Sequence, residues 1–227
     1  TLADVRIDEG ASGTGSRAAP FAFLAIGAVW LCFLFFLVST MSFGAIQNFA
    51  PAVFAAVYGL SLASATTALT AYHLGSAAGI LAGGFLAGRH PAREERVIAT
   101  MLLLAALTAI GLATGAAPAW VVLPGMAIVG FCTGAATPSR DLLVRRAALS
   151  RCGPDALGRV YGFVYSGLDV GLAVAPLLFG GLLDRGHHLL VLGGVATLQI
   201  LAVAAALAVG RRETSARVAD GRALTSR

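Results

Sequence analysis

The sequence of 227 residues contains very little charge: Asp, Glu, Lys and Arg together make up 12% of it, where about a quarter is usual in soluble domains. No charged residue occurs between Arg17 and Arg89, and the stretches 97–139, 160–183 and 186–210 contain only Asp169. Hydrophobic residues account for 58% of the chain. A soluble domain cannot bury that much apolar surface, so a soluble globular protein is excluded.

Cysteine is also scarce. Cys32, Cys132 and Cys152 form an odd, scattered set that has neither disulfide nor metal-ligand spacing, so no metal site and no cofactor are predicted. The first twenty residues lack the basic start and short apolar core of a signal peptide. They are rich in Gly, Ser and Ala and predict a cytoplasmic linker over residues 1–20, preceded by a missing part of a longer protein.

The uncharged stretches have the lengths of membrane crossings. Because a crossing takes about 20 apolar residues, the four stretches hold two, two, one and one spans. The predicted spans are 21–49, extended outward to 58, then 62–88, 97–114, 120–137, 160–183 and 189–210. This predicts an all-α membrane protein with a six-helix bundle over 21–210 and a cytoplasmic tail over 211–227. A kink or break is expected near Pro51 in the first span.

The basic residues set the orientation. All sixteen are arginines, and fifteen fall in the termini or in the loops after the second and fourth spans, while only Arg185 falls on the other side. The positive-inside rule then places both termini in the cytoplasm, in a membrane that we expect to be the bacterial inner membrane. The net charge of +5 faces the anionic lipid of the bilayer and requires no nucleic-acid partner.

The polar residues are unevenly distributed among the spans. Spans three and six consist almost entirely of aliphatic residues and Gly, as expected of helices that face lipid, whereas the other four contain polar and small residues. The pattern of two polar spans and one plain span occurs twice. Three-helix repeats of this kind are a common way of building membrane transporters.

The loop after the second span carries a family signature. Gly84, Arg89 and Arg93 match the signature loop of the major facilitator superfamily, although Gly88 stands where that signature has an acidic residue. The position also fits, since the signature occurs between helices two and three and recurs between helices eight and nine. Residues 158–184, with a Gly-rich entry and a Pro, Gly and Asp ending, are similar to an eleventh helix of that family.

The chain therefore resembles helices seven to twelve of such a transporter over residues 20–210, with the N-terminal half missing. The resemblance implies that the protein is not an enzyme. It implies secondary active transport of a small organic solute, coupled to protons, by two six-helix halves that rock about a central site. The lipid bilayer, the solute, protons and the missing half are the expected partners.

Asp169 is the only Asp, Glu, Lys or Arg inside a span, about ten residues into a helix that needs roughly twenty to cross. Helical spacing places it on one face with Tyr165, Ser166 and several small residues. We expect this polar and small stripe to border a water-filled cavity. Asp169 is therefore a candidate proton site or contact for a cationic substrate, with Tyr165 and Ser166 beside it. The alternative is a protonated Asp that only contributes to helix packing.

Three further polar residues are candidates for proton transfer or solute binding. His73 lies near the middle of span two and would relay protons with Asp169, or else serve as a hydrogen bond between helices. Gln47 and Asn48 lie where span one is expected to break. They would bind solute there, or only satisfy backbone groups that Pro51 leaves free.

Small residues recur every four positions in two spans. Gly75, Gly79 and Gly83 do so in span two, and Gly167 and Gly171 in span five. Such stripes allow helices to approach closely. The family resemblance assigns both stripes to the interface with the missing half, and packing within this half is the alternative.

Two other functions fit a six-span chain less well. An intramembrane serine protease would pair Ser166 with His73, but such enzymes place the Ser before the His, within a Gly-x-Ser-Gly loop. A scaffold or a channel subunit is the other alternative. A channel should contain a polar selectivity loop, and the outer loops here are too short to form one.

Overall fold

A computed structural model of the protein describes residues 22–89, 94–152 and 157–225. These residues form six long helices: α1 (Gly27–Tyr58), α2 (Leu62–Arg89), α3 (Glu94–Ala113), α4 (Val122–Cys152), α5 (Leu157–Asp184) and α6 (His188–Thr225). Short 3-10 turns precede α1 and α4, and no strand occurs in the described ranges. All six helices contain a segment long and apolar enough to cross a membrane. The predicted linker 1–20 and Arg93 lie outside the described residues.

The first span is one continuous helix, so of the kink or break expected near Pro51 the break does not occur. Pro51 lies inside α1 and lacks the N–H that would bond to the carbonyl of Gln47. The helix persists because its next turn is anchored in the core, where Ala50, Val53 and Phe54 are buried. The other predicted spans agree with the helices, except that α4 and α6 extend beyond the apolar segment, to Cys152 and Thr225.

The turns after α1, α3 and α5 are short and each contains a glycine with positive φ. These are Gly59, Gly115 and Gly186, with φ of 64°, 65° and 75°. Only glycine adopts this conformation at little cost, which allows the chain to reverse at once. After α5, the amides of Gly186 and His187 donate to Leu183 O and Leu182 O, a pattern that closes the helix end.

The packing follows the predicted three-helix repeat. Helix α2 packs most extensively on α4, and the equivalent helix α5 packs on α1. The pair α3 and α4 matches the pair α6 and α1, and α3 packs against α6. Exchanging the first three helices for the last three therefore leaves the most extensive helix contacts in place.

The two glycine stripes form these helix pairs within the chain. A Cβ at Gly75, Gly79 or Gly83 would overlap the backbone of α4, at residues 127–135. A Cβ at Gly167 would lie 2.8 Å from Phe33 O, and one at Gly171 would lie 2.6 Å from Leu37 O, both in α1. The assignment of these glycines to the interface with another half is therefore wrong. They allow backbone contact inside this bundle, as small residues commonly do between membrane helices.

Two apolar clusters lie one above the other along the bundle. One contains Phe54 with its neighbours at the end where α1 and α2 are joined, and the other contains Phe36 with its neighbours at the opposite end. Side chains of Ser39, Thr40 and Ser42 in α1 and Gln199 in α6 lie at the junction between the clusters. We call this region the polar layer.

Candidate functional site

Helices α2 and α5 each present an unpartnered face. Only 17% and 22% of the residues in their spans are buried, compared with 61% in α1. The exposed face of α2 carries large apolar residues such as Leu74, Leu81 and Phe85, and that of α5 carries Val170 and Leu177. Each helix uses one face for its glycine contact, so the opposite face remains available to lipid or to another group of helices.

His73 and Gln47 meet on this open side of the bundle. The Nε2 atom of His73 lies 3.0 Å from Gln47 Oε1, and its Nδ1 lies 2.9 Å from Leu69 O in the preceding turn of α2. The ring of Phe43 packs 6.4 Å from that of His73. As a cation, the imidazole can donate from both nitrogens to these two oxygens. As a neutral ring it can donate to Leu69 O and accept from Gln47, provided that the Gln47 amide is rotated so that its NH₂ group faces His73. Either form links α1 to α2.

Asp169 lies on the exposed face of α5, opposite the glycines that contact α1. It is near the middle of this 28-residue helix, as His73 is in the 28-residue α2. Both side chains are therefore at a similar depth in the bilayer. No hydrogen bond or ion pair to Asp169 occurs within the part of the chain that the structure describes. An ionised carboxylate at that depth costs about 2.5–3.5 kcal/mol against lipid, so it requires water, a proton or a partner.

The other candidates are held mainly by their own helices. The amide of Asn48 donates to Gly44 O at 2.8 Å, and not to the carbonyl that Pro51 leaves free. The hydroxyl of Ser166 donates to Phe163 O at 2.7 Å. The Tyr165 ring packs 5.0 Å from that of Phe36 in α1. Ser166 and His73 bond to other groups, so these two residues do not form the Ser–His pair that a serine protease needs.

A cavity of about 330 Å³ opens at the polar layer, and all six helices contribute to its walls. We call it the internal cavity. Phe43, Tyr72 and Leu172 line it toward the open side, while Gln199 and Ala202 of α6 line its inner wall. Hydroxyls of Ser39, Thr40, Ser42, Ser76, Thr133 and Thr137 also border it.

Arg140 borders the internal cavity at the end nearer the C-terminus of α4. Its Nε donates to Asp141 Oδ1 at 3.1 Å, and its guanidinium carbon lies 4.5 Å above the centre of the Phe36 ring. The salt bridge and the ring contact hold the cation against α1. Asp141 therefore partly offsets the charge that Arg140 brings to the cavity.

The signature loop is only partly described. Gly84 is exposed on α2, and a Cβ there would meet nothing within 4 Å. Arg89 is the last residue of α2, and Arg93 lies outside the described residues. Gly84 is not needed for packing within this bundle, in contrast to the glycines of the α2 stripe.

Sequence reasoning missed the polar layer. Span six was expected to face lipid, yet Gln199 in α6 is only 2% exposed. The Gln itself could have indicated its buried position. Exposing an amide to lipid costs free energy, so such a side chain in an otherwise aliphatic span is expected to face protein. Thr133 and Thr137 gave no comparable signal, since threonines are tolerated on any helix face by bonding to their own helix.

Comparison with known proteins agrees with this architecture. The sequence model of the Major Facilitator Superfamily matches residues 16–225. The chain therefore belongs to that superfamily, a class of membrane transport proteins.

Among solved structures, one that matches the fold is a peptide transporter, POT, crystallised in complex with sulfate. Its TM-score is 0.65 at 18% sequence identity, over 88% of this chain and 44% of that one. The chain thus spans less than half the length of this structural relative. No curated protein sequence matches the chain.

Proposed function

We propose that this chain is the C-terminal half of a secondary active transporter that moves a small organic solute by alternating access. The observation that carries the proposal is the pair of unpartnered faces on α2 and α5, in a chain that matches less than half of a transporter of its fold. A second six-helix group on these faces would enclose His73, Gln47 and Asp169 in a central cavity. Solute would bind there, and rocking of the halves would expose it to each side in turn.

Asp169 is the proposed proton site. It lies at midspan on an unpartnered face, and its carboxyl is free of partners in the described residues, so it can exchange a proton with water in the central cavity. Protonation removes the cost of its charge and would favour the state in which this face is closed against the other half. The His73–Gln47 pair is the proposed second group, which would hold solute or pass protons along the same cavity.

Reconstitution of the full-length gene product into liposomes tests this function. With an imposed pH gradient and a mixture of small organic compounds outside, mass spectrometry of the vesicle contents should detect accumulation of at least one compound. A protonophore should abolish that accumulation. The six-helix chain reconstituted alone should accumulate nothing, because its central cavity would lack one wall. Accumulation by the chain alone, or none by the full-length protein, would reject the proposal.

The proposed orientation has its own test. A membrane-impermeant maleimide should label Cys152 only from the cytoplasmic side, and a cysteine in a His187→Cys variant only from outside. The expected result follows from the fifteen arginines on one side and the single one on the other. Each cysteine is studied with the other cysteines replaced by alanine, and labelling from the opposite sides would show that the topology is inverted.

A further inference from the structure

The side-chain amide of Gln199 is buried without a partner. The residue is 2% exposed, and neither Nε2 nor Oε1 is hydrogen-bonded by any described residue. Buried amides in proteins are nearly always hydrogen-bonded. This amide offers two donor hydrogens and one acceptor oxygen at the inner wall of the internal cavity. Its partners must therefore come from whatever occupies the cavity.

Hydroxyl groups extend the same pattern across the cavity. The Oγ of Ser39 in α1 is buried and also has no partner among the described residues. The hydroxyl of Thr137 in α4 donates to Thr133 O of its own helix, and its oxygen lone pairs remain available as acceptors. Donors and acceptors thus lie on three helices around one space.

The cavity suits an uncharged occupant. Among its described lining residues there is no Asp, Glu, Lys or His, and the one charged group, Arg140, is bound to Asp141. Phe35, Leu102 and Leu172 supply apolar walls. The volume of about 330 Å³ is roughly twice the 150 Å³ that suffices for benzene, so there is space for about a dozen non-hydrogen atoms.

From this arrangement we infer that the internal cavity is a binding site for an uncharged hydroxyl- or amide-bearing group of the solute, and that Gln199 determines specificity there. The inference rests on the proposed transport function and adds the chemical class of the substrate. The Gln199 amide can both donate a hydrogen bond to such a group and accept one from it. An ammonium cation can only donate and a carboxylate anion can only accept, so neither satisfies both ends of the amide. The group enters past Phe43 from the open side, while charged parts of the solute stay near Asp169.

Thermal unfolding of the full-length gene product tests recognition by Gln199. D-glucose, D-sorbitol and N-acetylglycinamide serve as uncharged probes, with D-gluconate and D-glucosamine as charged counterparts. At least one uncharged probe should raise the melting temperature of the unsubstituted protein. Gln199→Leu, which keeps the bulk of the side chain, should weaken that effect about tenfold in apparent affinity.

Thr197→Val is the matched control, because the Thr197 hydroxyl is exposed on α6 and bonds only to Gly193 O of its own helix. This variant should respond to the probes as the unsubstituted protein does. Sugars also stabilise proteins nonspecifically by exclusion from their surface, so the difference between the variants is the measured quantity. No stabilisation by any uncharged probe, or equal stabilisation of Gln199→Leu, would overturn the inference.

Chemical labelling provides a readout that does not depend on transport or on the folding of Gln199→Leu. A Ser39→Cys variant in a cysteine-free background is treated with 2-hydroxyethyl, 2-aminoethyl and 2-sulfonatoethyl methanethiosulfonate. These reagents share one reactive group and differ in charge. The hydroxyethyl reagent should react about tenfold faster than either charged reagent, each rate being divided by its rate with a small thiol in solution.

Faster reaction of a charged reagent would contradict an uncharged site, and the sulfonate in particular would point to an anion held by Arg140. No reaction with any of the three would contradict a cavity that solutes can enter. Selective labelling together with no gradient-driven accumulation would reject the proposed transport function and leave the cavity inference in place. The two failures are therefore distinguishable.

Discussion

Replacing Gly79 by alanine is expected to push α2 away from α4, to destabilise the bundle and to impair transport severely. The new Cβ would overlap Phe131 O and lie 2.9 Å from Ala135 N, and backbone atoms cannot move aside by changing rotamer. Overpacking of this kind costs about 1–3 kcal/mol, which outweighs the gain of about 1 kcal/mol in helix propensity. We expect a clearly lower unfolding temperature in detergent and at least a severe loss of transport.

Gly111→Ala is the matched control. Gly111 lies in α3, and a Cβ there would meet nothing within 4 Å. The same substitution should therefore leave the unfolding temperature unchanged or slightly higher. Similar unfolding temperatures for Gly79→Ala and Gly111→Ala would show that the contact between α2 and α4 is not as close as described.

Asp169→Asn is expected to abolish proton-driven accumulation in the reconstituted full-length protein while the bundle stays folded. The amide preserves the shape and most of the hydrogen-bonding capacity of the carboxyl group but cannot bind and release a proton. Because Asp169 has no partner among the described residues, its replacement removes no bond within this chain. Exchange of solute down its own gradient should persist, since that process needs no coupled proton.

Asp184→Asn makes the same chemical change at the exposed end of α5 and should leave accumulation unchanged. Asp169→Glu should retain partial accumulation, because it moves the carboxyl by one methylene group. A structural Asp would give another result: lower stability in Asp169→Asn with coupling intact. Unchanged accumulation in a stable Asp169→Asn protein would exclude the proton-site role and direct attention to His73.

The number of the helices and the extent of their apolar segments could be predicted from the sequence because the lipid core imposes them, whereas the extensions of α4 and α6 beyond it could not. Each apolar stretch must form a helix, and charged residues such as Arg89 and Arg140 mark where the apolar segment gives way to water. The continuity of α1 through Pro51 could not be predicted in this way. It depends on the burial of Phe54 by other helices, which local sequence does not encode.

The helices that contact the glycine stripes also could not be predicted from the local sequence. Spacing by four shows that another backbone approaches Gly75, Gly79 and Gly83, but any helix could provide it. The structure assigns that place to α4, whose own Gly130 and Gly134 contact the backbone of α2 in return. Reciprocal stripes on two spans are a signal that the sequence does contain, and matching them would have indicated the pairing.

Some residues of the candidate site could be identified from the sequence, and others could not. Asp169 could be selected from the sequence alone, because an acid inside a span is rare and costly. The bond between His73 and Gln47 joins residues 26 positions apart, and no periodicity relates them. Gln199 lies in a span that is otherwise almost entirely aliphatic, so the overall composition of the span indicated lipid contact and not a polar site.

The glycine contacts also have a mechanical consequence. Backbone contact at these glycines leaves little room for flexible side chains between α2 and α4, or between α5 and α1. Each pair, which we call a plate, should therefore resist sliding of one helix along the other. Direct contacts between the plates, from α1 to α2 and from α4 to α5, are far sparser, and the plates are otherwise joined through α3 and α6. Each plate is therefore expected to be stiffer than the seam where α1 faces α2 and α4 faces α5, and the internal cavity opens along that seam. Any flexing of this half is expected to widen or narrow the mouth of the internal cavity before it disturbs the helix pairs.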